Sequence, residues 1–199
     1  TGRGLRRGEI QTISTDHCSF TLAQKDMGRD DFTKIPGGLP GVETRGEVVY
    51  TVAINENKLS LGGVCRALSE NPAKLYGLYP RKGVIAAGSD ADIVVYDPGA
   101  SHVLHGADML SKAGYTPFEG FRTNGGVSKV YLRGQLQVDG GKVVGTRQGR
   151  ASNSSVVEGR NGTMTSRASV PAICSTTCWM ASVSMSRSSP PTPVLSFTV

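Results

Sequence analysis

The sequence predicts an α/β protein: the last strand and helices of a larger α/β layer, part of a small β-sandwich, and a tail without a core of its own. Apolar residues recur at helical spacing up to about residue 80 and form short strand-like runs between residues 84 and 144. After residue 150 the composition changes abruptly to serine and threonine. We therefore divide the chain into segments 1–82, 83–150 and 151–199.

The first segment begins with a predicted strand and a long loop. Ile10–Thr15 is short and rich in β-branched residues, and it ends in a polar turn that starts at Asp16. Residues 21–45 are rich in glycine and proline and predict a loop. Loops of this length inside compact domains are usually functional.

Three helices follow in the prediction. Val48–Ala53 has helical spacing, although its β-branched residues suit a strand equally well. Ser60 is the expected N-cap of a helix whose apolar stripe is Leu61, Val64, Cys65 and Leu68. Asn71 and Pro72 have the pattern of a helix start, and Gly77 is expected to end that short helix.

The second segment predicts small strands, and the third predicts disorder. The runs expected to be strands are Val84–Ala87, Ile93–Tyr96, Lys129–Arg133, Gln135–Val138 and Val143–Val144. Residues 151–199 are rich in serine and threonine and cannot bury enough apolar surface to offset their ordering entropy. We expect them to be a disordered tail or the product of a reading frame that slips near residue 150.

Composition argues against a membrane or nucleic-acid partner. No run approaches the roughly 20 apolar residues of a membrane span, and no leader-like segment opens the sequence, so we expect a cytoplasmic protein. The net charge is +6, but the cations are dispersed, and their densest group, Arg3, Arg6 and Arg7, has no interleaved aromatic residue. The four cysteines are expected to be free thiols, and the pair Cys174 and Cys178 has no second pair at zinc-ligand spacing.

Asp16 is the best candidate for chemistry. A carboxylate at the C-terminal end of a barrel strand can bind a metal or accept a proton from water. Read from the dipeptide alone, however, Asp16 followed by His17 is more often a turn cap than a site. His102 and His105 suit a solvated surface better than a pair of ligands, and Ser19 has no identifiable partner base.

Five motifs carry a family resemblance. They are Thr15-Asp-His-Cys-Ser-Phe20, Gly28-Arg-Asp-Asp-Phe-Thr-Lys-Ile-Pro-Gly-Gly-Leu-Pro-Gly-Val-Glu-Thr-Arg45, Asn71-Pro-Ala-Lys-Leu-Tyr-Gly-Leu-Tyr-Pro-Arg-Lys-Gly83, Gly88-Ser-Asp-Ala-Asp92 and Phe118-Glu-Gly120. Together, over residues 10–150, they resemble the C-terminal part of the dihydropyrimidinase or D-hydantoinase family of cyclic amidohydrolases. The Gly-x-Asp-Ala-Asp motif alone would indicate only the sandwich that this family shares with dihydroorotases, allantoinases and ureases.

The resemblance implies the end of a metal-dependent TIM barrel and a hydrolase that opens cyclic ureides or imides to N-carbamoyl amino acids. Members of this family hold two divalent metal ions, usually zinc, and form tetramers. Asp16 matches the aspartate that ligates one metal and carries the proton from the attacking hydroxide to the leaving nitrogen. Gly37 and Gly38 match the loop whose backbone contacts the substrate amide, although family members commonly have asparagine at the first of these positions.

The resemblance also indicates what this chain lacks. The remaining metal ligands of the family lie on earlier barrel strands, and nothing in Thr1–Ile10 can supply them. We therefore expect a partial hydrolase that binds no metal pair tightly and is inactive by itself. Two alternatives stay open: a non-catalytic relative of the collapsin response mediator kind, which is an interaction protein on the same fold, and a dihydroorotase or allantoinase.

Overall fold

The computed structural model describes residues 2–56 and 58–149, and it describes the backbone of residues 195–198. The elements before residue 76 are helical. They are α1 (Gly2–Arg7), α2 (Leu22–Asp26), a 3-10 turn (Phe32–Lys34), α3 (Arg45–Asn55), α4 (Leu61–Cys65), a π-helical turn (Arg66–Glu70) and α5 (Asn71–Leu75). The predicted loop 21–45 thus contains two short helical elements.

Helix α3 confirms the helical interpretation of its β-branched run. Tyr50, Thr51 and Ala53 are buried on one side of it. The Thr51 hydroxyl donates to the Glu47 carbonyl oxygen (2.7 Å), which satisfies this buried polar group within the helix. Packing of these buried residues therefore favours the helix, where residue propensity alone suited a helix and a strand equally well.

The segment from residue 61 to residue 75 is continuously helical. The Ser60 hydroxyl accepts a hydrogen bond from the Gly63 amide (3.2 Å), which confirms the predicted N-cap. Helix α5 begins at Asn71 with Pro72 in its first turn, as predicted, but Asn71 is not an N-cap, because its own backbone is helical and the residues before it are helical too. Pro72 has no N–H to donate, and a wider π-helical turn directly before α5 accommodates it. Gly77 ends the helix at φ +66°, as predicted.

The predicted strand Ile10–Thr15 is wrong. These residues form no strand, and the Ile13 amide donates instead to the Ala67 carbonyl oxygen in the π-helical turn (3.1 Å). A β-strand requires a neighbouring ladder, and here the neighbour of this segment is a helix.

Val84–Ala87 is also not a strand. Gly83 and Gly88, which flank it, both have positive φ, and the Ser89 amide donates to the Ala86 carbonyl oxygen to close a turn (3.1 Å). Local turn geometry therefore overrides the β-branched composition of this run.

The second half of the chain forms an antiparallel sheet. Its strands are β1 (Ile93–Asp97), β2 (Gly126–Leu132), β3 (Gln135–Asp139), β4 (Lys142–Val143) and β5 (Leu195–Thr198), in the order β4-β3-β2-β1-β5. The strand predictions for the first four are confirmed apart from their end residues. Gly140 and Gly141 have positive φ and close the tight turn between β3 and β4.

Strand β5 lies within the segment that was expected to be a disordered or out-of-frame tail. The backbone of Leu195–Thr198 pairs antiparallel with β1, so these four residues of the predicted tail form a strand. The outer edge of β1 offers unpaired N–H and C=O groups, and any extended segment can satisfy them. The rest of the predicted tail lies outside the described residues.

The sheet packs on α3. The rings of Tyr50 and Tyr96 lie 4.4 Å apart at the centre of one buried cluster, and both side chains are at most 7% exposed. The Glu47 carboxylate accepts a hydrogen bond from the Val127 amide (3.0 Å), which fixes the start of β2 against the helix. None of the described helices is both long enough and apolar enough to span a membrane.

The Gly-x-Asp-Ala-Asp motif has a structural role here. Asp92, which is 2% exposed, forms an ion pair with Lys82 and accepts a hydrogen bond from the Arg133 amide (2.6 Å). Asp90 also binds the Lys82 ammonium group (2.9 Å). Asp92 therefore fastens the segment before β1 to the turn between β2 and β3, and both carboxylates bind Lys82.

Candidate functional site

Asp16 lies exposed in the segment that precedes α2. Its backbone is left-handed (φ +49°), and its amide is 3.4 Å from the Ser14 hydroxyl oxygen, to which it donates. Aspartate is one of the few non-glycine residues that tolerate this conformation. Because residues 10–15 form no strand, Asp16 does not stand at the C-terminal end of a strand, as the sequence had predicted.

His17 fastens the same segment to the glycine-rich loop. Its Nδ1 accepts hydrogen bonds from the amides of Gly41 (3.0 Å) and Val42 (3.3 Å). His17 therefore holds the glycine-rich loop against the segment that carries Asp16.

The two glycines of the loop have different environments. Gly38 has φ +133°, and a Cβ atom there would lie 2.4 Å from the Cys18 carbonyl oxygen, so only glycine fits. Gly37 is exposed, and a Cβ atom there would meet no heavy atom within 4 Å. The Cys18 amide donates to the Leu39 carbonyl oxygen (3.2 Å). Gly38 thus packs on the segment that carries Asp16, and Gly37 faces open space.

Sequence reasoning missed Lys25. Its ammonium nitrogen lies 2.5 Å from the Pro36 carbonyl oxygen and 2.6 Å from the Gly38 carbonyl oxygen, on either side of Gly37. It also lies 5.3 Å from the centre of the Phe20 ring, within cation–π distance. A sequence signal exists for the helix that carries it, because Thr21 and Gln24 form a capping box.

Glu43, in the second motif, has hydrogen-bond partners in the second half of the chain. Its carboxylate accepts hydrogen bonds from the amides of Leu110 (2.8 Å) and Ser111 (3.2 Å), which ties the end of the loop to the second half of the chain. A small cavity of about 10 Å³ lies beside it, room for a single water molecule. Its lining includes His17, Pro40, Gly41, Glu43, Thr44 and Ser111.

The other two histidines bind carboxylates elsewhere. His102 Nε2 lies 3.4 Å from a Glu47 oxygen, and His105 Nδ1 lies 2.7 Å from a Glu119 oxygen. The pKa of Glu119 is lowered, first by the hydrogen bond from the Gly106 amide and then by the one from His105. Both histidines are about half exposed, which agrees with the predicted solvated surface.

The described residues do not complete a metal centre. Within residues 2–56 and 58–149 no three side chains of histidine, cysteine, aspartate or glutamate converge on a point where an ion could sit. A pair of metal ions needs several ligands at once, and Asp16 alone does not fit that requirement. Cys18 and Cys65 are free thiols as expected, and the predictions for Cys174 and Cys178 concern residues that the structure does not describe.

Comparison with known proteins gives a consistent result. Residues 2–143 match the amidohydrolase family. The D-hydantoinase of Ralstonia pickettii is 44% identical over 142 residues, which are 71% of this chain and 31% of that protein. The solved D-hydantoinase (dihydropyrimidinase) of a Thermus species superposes with a TM-score of 0.71 at 41% identity, over 73% of this chain and 32% of that one. The dihydropyrimidinase of Brevibacillus agri gives 0.70 at 39%, over 72% and 31%. The chain thus spans about a third of the length of the relatives it matches.

Proposed function

Because this chain belongs to the amidohydrolase family, we propose that it forms part of a hydrolase that opens the cyclic amide of hydantoins or dihydropyrimidines to N-carbamoyl amino acids. The relatives named hydantoinase and dihydropyrimidinase support this substrate class. One observation carries the assignment to a site: Gly38 packs on Cys18, so the loop of Gly37 and the segment of Asp16 come together. These are the two segments to which the resemblance assigns the substrate contacts and the catalytic carboxylate.

Asp16 is the proposed acid–base group. Hydrolysis adds the hydroxyl of water to the ring carbonyl carbon and a proton to the ring nitrogen, and the bond between these two atoms breaks. A carboxylate that first accepts the proton from water and then donates it to the nitrogen serves both halves of this reaction. Asp16 is exposed, and its carboxylate caps no turn among the described residues, which favours the acid–base role over that of a turn cap.

Gly37 and Gly38 are the proposed substrate-binding residues. The exposed backbone at Gly37 can approach a flat ring closely because no side chain intervenes. Amide N–H and C=O groups are complementary to the C=O and N–H groups of a cyclic ureide or imide. The loop therefore recognises the ring through its main chain.

The metal centre and the larger architecture are further parts of the proposal. We propose two divalent ions, zinc by the resemblance, with Asp16 as one ligand and the other ligands in the part of the relatives that this chain does not match. Residues 1–82 then belong to the end of a TIM barrel, residues 83–150 to the sandwich, and residues 151–199 to a tail, of which the backbone of Leu195–Thr198 pairs with β1. A cytoplasmic homotetramer is the proposed state of the complete enzyme.

The alternatives make different predictions. A non-catalytic interaction protein of the same fold would not need an open substrate loop, and the exposure of Gly37 favours the enzyme. A dihydroorotase or allantoinase would share the chemistry but not the substrate. The relatives reported above are hydantoinases and dihydropyrimidinases.

The test is a chimera. Residues 2–143 of this chain replace the matching region of the Ralstonia pickettii D-hydantoinase, and the product is assayed with hydantoin, dihydrouracil, dihydroorotate and allantoin. We expect turnover of the first two. Turnover of only the last two would favour the alternative enzymes, and a folded, metal-loaded chimera inactive on all four would contradict the proposal.

The 199-residue chain by itself is expected to bind no stoichiometric pair of zinc ions and to show no hydantoin turnover above a metal-only control. Its described residues offer one proposed ligand, Asp16, where the site needs several. Zinc titration followed by calorimetry, together with the hydantoin assay, measures both quantities. Binding of two zinc ions per chain would show that the ligand assignment is wrong.

A further inference from the structure

We infer that Lys25 is a positioning residue that fixes the direction of the Gly37 backbone in the substrate loop. Its ammonium group donates to the carbonyl oxygens of Pro36 (2.5 Å) and Gly38 (2.6 Å), and thus holds the peptide group before Gly37 and the one after Gly38.

The geometry of the peptide bond determines the direction in which the Gly37 N–H points. The peptide bond between Pro36 and Gly37 is trans, so its C=O and N–H groups point in opposite directions. Because the Pro36 carbonyl points at the Lys25 ammonium group, the Gly37 N–H points away from it. Gly37 is exposed, and no atom lies where a Cβ would be. The clamp therefore presents one N–H donor at an open surface.

Without such a clamp the loop would have little to hold Gly37. Glycine has more accessible backbone conformations than any other residue, so two adjacent glycines are entropically expensive to order. Gly38 is confined by its contact with Cys18, and Leu39 is held by the Cys18 amide. Gly37 has no such contact, and the hydrogen bonds of Lys25 to its neighbours limit its freedom.

A lysine suits this role because it carries three donors on one atom. Two of them reach the carbonyl oxygens, and the charge strengthens both hydrogen bonds relative to neutral donors. The ammonium group also lies near the Phe20 ring, which limits its movement. Lys34, on the same loop, offers a contrast: it forms a single exposed ion pair with Asp31 at 3.6 Å.

The first test needs no activity. In the 199-residue chain, NMR relaxation is measured for the amides of Gly37 and Gly38 in wild type, Lys25→Met and the matched control Lys34→Met. We expect the order parameters to fall from about 0.85 to below about 0.6 in Lys25→Met and to stay unchanged in the control. Unchanged values in Lys25→Met would overturn the inference. If Lys25→Met does not fold, Lys25→Gln, which keeps donors but loses the charge, replaces it with the same expectation in direction.

The second test rests on the proposed function and uses the hydantoinase chimera. A residue that positions a ground-state contact changes KM and leaves kcat nearly unaltered. We expect Lys25→Met to raise KM about tenfold with kcat within about twofold of the parent, and Lys34→Met to change neither. A fall in kcat at constant KM, or no change in either, would contradict the positioning role.

The two tests separate the two ideas. Lower order parameters in the isolated chain together with an inactive parent chimera would retain the clamp and reject the hydantoinase proposal. An active chimera whose KM ignores Lys25→Met would retain the proposed function and reject the clamp.

Discussion

Replacing Asp16 by asparagine in the hydantoinase chimera is expected to lower kcat by about 10²- to 10⁴-fold with little change in the fold. The amide of asparagine cannot accept and return a proton, and it is a weaker metal ligand than a carboxylate. Asparagine is chosen over alanine because the backbone at residue 16 is left-handed (φ +49°), and asparagine tolerates that conformation as aspartate does. The measurement is the steady-state rate with hydantoin, with circular dichroism as the check on folding.

The matched control for this variant is Asp26→Asn. Asp26 lies ten positions along the same part of the chain, is exposed, and pairs only locally with Arg29 at 3.0 Å. Such a surface ion pair contributes about 1 kcal/mol or less, so the control should keep the parent rate. Parent-like turnover by Asp16→Asn, or an equal loss in the control, would show that Asp16 is not the proton carrier.

Local signals predicted a large part of the fold. The cap at Ser60 and the glycine end at Gly77 are short-range patterns, and each is confirmed. The strands β1, β2 and β3 were also predicted, since short apolar runs bounded by turn residues are visible within a few positions of the sequence. These features depend on neighbours in sequence, which is why sequence alone finds them.

The wrong predictions concern segments whose structure depends on contacts with residues distant in sequence. Ile10–Thr15 has the composition of a strand, but strand formation depends on a partner ladder, and the segment contacts a helical turn instead. Asn71 and Pro72 match a helix start, yet Asn71 is not an N-cap, because a wide helical turn precedes it. In both cases a contact beyond the local window decides the structure.

The sequence predicted which residues belong to the candidate site but not how they pack together. Asp16, Gly37 and Gly38 came from motifs, but the packing of Gly38 on Cys18 joins positions far apart in sequence. The two hydrogen bonds of Lys25 could not be predicted, because a lysine on a polar helix is usually a solvated cation. The capping box predicts the helix that carries Lys25 but not the direction of its side chain.

The largest expected effect on stability is that of Asp92→Ala, which should lower the free energy of unfolding by about 3–5 kcal/mol. Asp92 is 2% exposed, pairs with Lys82 and accepts a hydrogen bond from the Arg133 amide. Removing its carboxylate leaves a largely buried ammonium group with less compensation, and it leaves the Arg133 N–H without this acceptor. Urea unfolding of the 199-residue chain, followed by circular dichroism and extrapolated linearly to water, measures the change.

Asp90→Ala is the control within the same motif. Asp90 binds the same Lys82 ammonium group (2.9 Å), but its side chain is 32% exposed, so water can replace it and the expected loss is about 1 kcal/mol or less. Asp92→Asn should fall between the two, because its amide oxygen still accepts from the Arg133 N–H while the charge is lost. Equal losses for Asp92→Ala and Asp90→Ala would mean that burial does not distinguish the two carboxylates. The stabilising effect of the motif would then come from the ion pairs with Lys82 and not from the buried hydrogen bond to the turn between β2 and β3.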